Sequence, residues 1–212
     1  ADLAKMMAVK EIVETIRPTG NNTKIYIETR AGIEHFSTDL EIAKYQLART
    51  TILQMLLNPN IIHMVSYCEA DHAATAEDVI ESSKIVRRAI KIFKENEQEL
   101  KRFLNDPVVL QRKEYLIKEA KYTVEQIAKL SSLYHNNMKF NEYFKCISDP
   151  KVLIKAIELK IMSAPGITHP RYVNPSLFTK ANEYGFIDCY ESWDDKIPIS
   201  EERRINLLFK AL

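Results

Sequence analysis

Apolar positions open the chain at helical spacing. Leu3, Met6 or Met7, Val9, Ile12, Val13 and Ile16 recur near a 3.6-residue period, which predicts a helix over residues 2–16. Pro18-Thr19-Gly20-Asn21-Asn22 breaks it. Thr23 to Thr29 (TKIYIET) is rich in β-branched and aromatic residues and reads as a strand. Thr38-Asp39-Leu40-Glu41 has the form of a capping box, so a helix should run from there to about Leu57, where Asn58-Pro59-Asn60 stops it. Ile61 to Tyr67 (IIHMVSY) is almost continuously apolar, the pattern of a strand covered on both faces. Thr75 then caps a helix reaching about Glu95. The two strands begin about 38 positions apart with a helix between them, which predicts a parallel pair and a right-handed βαβ unit.

The pattern changes near residue 95. Asp106-Pro107 and Asp149-Pro150 each place an N-cap before a proline at the first helical position, predicting a long helix to about Tyr134 and a shorter one to about Ile161. Residues 163–199 are rich in turn formers, with prolines at 165, 170, 175 and 198, and contain a possible short strand at Phe186 to Glu191. Ser200 would cap a last helix. The expected fold class is α/β. Residues 1–95 are expected to carry βα units with two parallel strands, those of a partial TIM-like barrel on the resemblance given below, and residues 96–212 a helix-rich C-terminal extension with a loop-rich segment.

Composition sharpens that picture. The 212 residues include 4 glycines, against the roughly 15 that average usage would supply, which favours helix over turns. At 212 residues the chain is short of the roughly 250 that a complete eight-unit barrel usually needs. Lys+Arg number 30 and Asp+Glu 29, a formal net charge of +1, so no basic excess points to nucleic acid. No window approaches 18 uninterrupted apolar residues, which argues against a membrane span. No secretory signal pattern is visible at the start, and three widely spaced cysteines suggest no disulfide framework, so the expected location is cytoplasmic.

Ligands of parallel α/β folds bind beyond the carboxyl ends of the strands. Two polar clusters occupy that place: Glu28-Thr29-Arg30 with Glu34-His35, and Cys68-Glu69-Ala70-Asp71-His72. Each also has a plain structural reading. Glu28 and Arg30 can pair as a rim salt bridge, Glu69, Asp71 and His72 can serve as capping and turn residues, and His63 reads as a hydrogen-bonded core residue. Cys68, Asp71 and His72, with His35, are suitable metal donors, but their spacing matches no metal motif, so no metal is assigned. No P-loop and no Gly-x-Gly-x-x-Gly occurs.

At these same residues the chain resembles a family. Residues 25–92, with Asp39-Leu40-Glu41 opening one helix and Glu69-Ala70 after the next strand, resemble the last βα units of the barrel subunit of methylaspartate (glutamate) mutase, of the adenosylcobalamin-dependent mutases. Ala156 to Pro165, Tyr184-Gly185-Phe186-Ile187-Asp188 and Ile197 to Arg203 look like successive landmarks of that subunit's C-terminal extension.

The resemblance implies an isomerase acting by radical rearrangement on a small amino-acid-like substrate held in a barrel. In the family a lysine and a glutamate four residues later contact the adenosyl group. The glutamate position falls on Glu69, implied to bind cofactor, and the lysine position falls on Val65. Glu28, Arg30, Asp71 and His72 would then face the substrate. The Asp-x-His-x-x-Gly cobalamin-ligating pattern does not occur. Adenosylcobalamin is therefore expected to be bound mainly by a separate cobalamin-binding subunit. The remaining barrel strands are expected from another subunit or a homo-oligomer, so that this chain alone is inactive. Two alternatives stand beside this reading: a non-catalytic piece that completes a barrel by oligomerising, and a small metal-dependent hydrolase at Cys68–His72.

Overall fold

A computed structural model of the chain describes residues 2–16, 24–32, 36–159, 161–162, 178–181, 187–200 and 203. It is a mixed α/β structure with two compact units, Ala1–Leu116 and Ile117–Leu212. In chain order the elements are α1 (Asp2–Ile16), β1 (Glu28–Arg30), α2 (Leu40–Met55), β2 (Ile61–His63), α3 (Ala76–Glu95), α4 (Glu97–Leu100), a 3-10 turn (Lys101–Asn105) and α5 (Pro107–Ala128). After these come α6 (Tyr143–Ile147), α7 (Pro150–Glu158), β3 (Phe178–Ala181) and β4 (Ile187–Tyr190).

In the first unit β1 and β2 pair in parallel, with Glu28 opposite Ile61, Thr29 opposite Ile62 and Arg30 opposite His63. The β–α–β order read from the sequence is therefore present. The helix starts follow from local chemistry. At α2 the cap is Asp39 and not Thr38: its carboxylate accepts the Glu41 and Ile42 amides at 3.0 and 3.2 Å. Thr75 caps α3 in a full capping box with Asp78. Asp106 accepts the Val108 and Val109 amides ahead of α5, and Asp149 accepts the Lys151 amide ahead of α7. Asn58 leaves α2 in the left-handed region at φ 51°, a conformation asparagine tolerates better than most residues, and Pro59 prevents any continuation. Asn60 then fastens the chain to β1: its side chain accepts the Ile27 amide at 2.9 Å and its own amide donates to the Ile27 carbonyl at 2.8 Å.

Ala31, Phe36, Ala43, Leu47, Val65, Tyr67, Cys68 and Val86 form one core, built by α2, α3 and the segment after β2. Leu3, Leu56 and Phe93 form a second core in the same unit. In the second unit Ile127, Val152, Ala156 and Ile161 pack together, and β3 and β4 pair antiparallel.

Several expectations are corrected. β2 is not covered on both faces: Ile61 is 48% exposed, and the strand ends at His63, with the buried run Val65 to Cys68 lying beyond it in the connection to α3. The apolar run reflects the core beneath that connection, not a second covered face. His63 is exposed, because side chains alternate across a strand and its face is the open one. Val9 is 54% exposed, the first helix burying Leu3, Ala4 and Ala8 instead. α5 ends at Ala128, six residues short of Tyr134. β3 arises within the segment read as loop. The helix expected after Ser200 lies almost wholly outside the described residues, although the Arg203 amide does donate to Ser200 Oγ. Glu34 and His35, and parts of the C-terminal landmarks, also lie outside them.

Candidate functional site

The site grows from the chain between β2 and α3. After His63 the chain leaves the strand and turns at residues 67–70. The Glu69 amide donates to the Ser66 carbonyl at 3.2 Å, and the Asp71 and His72 amides donate to the Cys68 carbonyl at 2.8 and 2.9 Å. Two buried hydroxyls lock this turn onto α3: Ser66 Oγ lies 2.9 Å from Ser82 Oγ, and the Tyr67 amide donates to Ser82 Oγ at 3.3 Å. Ser82 shares a helical stripe with Val86, Ala89 and Phe93, so the face that packs apolar surface also carries the one hydroxyl the turn requires.

Tyr67 is 4% exposed, with its hydroxyl 2.9 Å from both Asp78 Oδ1 and Glu81 Oε2. One phenolic proton thus serves two carboxylates. Lys44, from α2, pairs with Glu81 and Glu41 at 3.0 Å each and lies 5.0 Å from the centre of the Tyr67 ring. Asp78 also accepts the Thr75 amide and hydroxyl at 3.0 and 2.7 Å. Further out, His72 Nδ1 is 2.8 Å from Asp71 Oδ2, and its Nε2 is 3.4 Å from Asp78 Oδ2. The buried Cys68 Sγ is 3.4 Å from Ser66 Oγ.

This wiring moves the titrations. The Thr75 hydroxyl and amide, followed by the Tyr67 hydroxyl, hold Asp78 far below the usual carboxylate range. Lys44 first and Tyr67 second lower Glu81. The hydrogen bond to Asp78, burial and Glu81 push the Tyr67 phenol up, so it stays a proton donor. Asp71, then Asp78, raise His72 and favour imidazolium. Glu81, then Glu41, raise Lys44. The result is a continuous chain of donors and acceptors, Lys44, Glu81, Tyr67, Asp78, His72 and Asp71, in which the neutral Tyr67 phenol bridges two carboxylates.

Each residue singled out from the sequence has a definite place. Thr29 turns inward to Gln54, so Glu28 and Arg30 share the open face of the sheet. Glu28 does not pair with Arg30. Its carboxylate lies 3.2 Å from His63 Nδ1, while Arg30 makes no hydrogen bond or ion pair among the described residues. Glu69 is exposed and its Oε1 accepts the Ser66 amide at 2.9 Å, serving its own turn. Asp71 and His72 pair with each other. Among the described residues no hydrogen bond or ion pair joins the strand-end group (Glu28, Arg30, His63) to the turn group.

Ser66, Tyr67, Asp78, Glu81, Ser82 and Lys44 were not singled out from the sequence. Asp78 had a signal, as the third helical residue after Thr75 in a capping box. Glu81 and Ser82 follow it by three and four positions, on the same helix face. Tyr67 and Lys44 had none, because their partners lie on other elements. Comparison of the chain with models of known protein families and with curated protein sequences finds no match.

Proposed function

We propose that this chain supplies the closing βα segment of an adenosylcobalamin-dependent, mutase-like barrel that rearranges a small amino-acid-like substrate. The observation that carries this reading is the parallel β1–β2 pair, connected through α2 and followed at once by a polar turn. The mouth of a parallel α/β fold is built from such turns. Arg30, exposed at the end of β1 and without a partner among the described residues, is chemically suited to a substrate carboxylate.

The fit to the cofactor is partial. Glu69 is exposed, with one carboxylate oxygen held by the Ser66 amide and the other an acceptor for a ribose hydroxyl. Val65, at the position where the family carries a lysine, is buried in the core and offers no polar atom. This chain's residues therefore do not make an adenosyl site by themselves, and no reaction step is assigned to them. Cobalamin would be held mainly by a partner subunit.

The test uses the chain co-purified with its partner. Titration with adenosylcobalamin should change the visible spectrum and support mutase turnover. Glu69→Gln should weaken binding about tenfold, the scale of one hydrogen bond to a charged group. No spectral change and no turnover by the complex overturn the reading.

A second reading has its own support. Ile25, Tyr26 and Ile61 are exposed on and beside a sheet of two strands, and unpaired strand edges call for cover. On this reading the chain is an assembly piece whose role is completing a barrel with further copies or subunits. No helix among the described residues is long and apolar enough to cross a membrane.

A further inference from the structure

We propose that Cys68, His72 and Asp78 form a site for a divalent zinc-class cation, with a solvent molecule completing the coordination. The three candidate donor atoms lie within 4.8 Å of one another. Cysteine sulfur, imidazole nitrogen and carboxylate oxygen together suit zinc or cobalt far better than calcium or magnesium.

The His72 Nε2 to Asp78 Oδ2 separation is 3.4 Å. That is long for a hydrogen bond, yet it matches the ligand–ligand edge of about 3.4 Å for a tetrahedral metal with bonds of about 2.0–2.1 Å. The corresponding edge to sulfur is about 3.6 Å. From within 4.8 Å, Cys68 Sγ therefore needs to close by at most about 1.2 Å, within reach of a modest side-chain rotation.

The surroundings are those of a metal site. Asp71 holds His72 Nδ1 at 2.8 Å, which directs Nε2 to the ligand position as in carboxylate–histidine–metal arrangements. The Tyr67 hydroxyl donates to Asp78 Oδ1, while Oδ2, on the side of His72, is held in place by the Thr75 amide and hydroxyl at 3.0 and 2.7 Å and would add the cation to these contacts. Exposure grades across the group: the Cys68 residue is fully buried, while the side chains of Asp78 and His72 are 15% and 41% exposed. A cation would sit at the surface with sulfur beneath it and its outer position open to water. Three protein ligands plus water is the pattern of zinc sites that activate water or bind substrate. The competing occupant is a proton on His72 Nε2, paired with Asp78.

The full chain, tag-free, reduced and stripped with chelator, is titrated with Co2+ as the spectroscopic probe. One equivalent should bind, with a near-ultraviolet sulfur-to-cobalt band, and one equivalent of Zn2+ should displace it. Cys68→Ser and His72→Gln should each remove the band. Asp71→Asn, which leaves the ligands in place, should weaken binding about 10–100-fold. Cys146→Ser and Cys189→Ser should leave the band unchanged. Should Cys68→Ser unfold by circular dichroism, the exposed His72→Gln variant decides the matter alone. No stoichiometric binding, binding without the sulfur band, or binding undiminished in His72→Gln each overturns the site.

Discussion

Tyr67 holds its hydroxyl between two carboxylates, with the Lys44 ammonium over its ring. Removing that one oxygen leaves Asp78 and Glu81 without their common donor, while the aromatic packing stays. Tyr67→Phe should therefore lower the urea midpoint at neutral pH with an unchanged m value. The same wiring sets a pH profile. Asp78 and Glu81 titrate lower in the folded chain, so their contribution is complete above the ordinary carboxylate range and is lost progressively as pH falls from there through their lowered folded values. His72 titrates higher when folded, so its contribution is complete below about 6.5 and is lost as pH rises through its folded value. Urea midpoints of the metal-free chain should therefore fall on both sides of a plateau lying between those ranges. His72→Gln should flatten the neutral arm and leave the acidic arm in place; an unchanged neutral arm in that variant would show that His72 is not its origin. At this scale the sequence identified Glu69, Asp71 and His72 as polar groups in the right turn. It did not show that Glu69 serves its own backbone, because that depends on the turn's closure at Ser66.

α3 is where the polar wiring and the apolar packing meet. Ser82, Val86, Ala89 and Phe93 are buried on one side of it, and Thr75 and Asp78 close its start. Phe93→Ala should cost about 3–5 kcal/mol in urea unfolding, the range for truncating a buried aromatic. Ser82→Ala should cost about 1–3 kcal/mol, since it takes the partner from the buried Tyr67 amide. Thr75→Ala should cost about 0.5–2 kcal/mol through the lost cap. Each is read from the shift in midpoint at constant m. If Ser82→Ala proves neutral, the Ser66–Ser82 link does not hold the turn to the helix. Helix starts were legible at Thr75, Asp106 and Asp149, and within one residue at Asp39, because a cap is a contact between residues two or three apart. Strand lengths were not. β1 and β2 span three residues each, since a strand lasts only as long as its neighbour pairs with it, and that neighbour is far away in sequence.

At the scale of the whole chain, the parallel pair leaves Ile25, Tyr26 and Ile61 exposed. If covering this sheet is the chain's role, light scattering should give a mass above one chain that rises with concentration. Tyr26→Lys and Ile61→Lys should return it toward the monomer, and a monomer at every concentration rejects the assembly reading. By itself the sequence determined the order of α1, β1, α2, β2 and α3 and the parallel sense of the two strands, because a long helix-bearing connection permits little else. It also placed the starts of four helices to within a residue. Only the tertiary structure decided which polar groups work together. Lys44 on α2, Tyr67 and Cys68 after β2, and Asp78 and Glu81 on α3 lie up to 37 positions apart, and no local pattern links them. They converge because α2 and α3 pack on one core and the Ser66–Ser82 hydrogen bond fixes the turn against the helix. The turn that opened as a row of separate candidates is thereby one network, with Cys68 at its buried end, His72 and Asp71 at its outer edge, and Glu28, Arg30 and His63 on the open sheet.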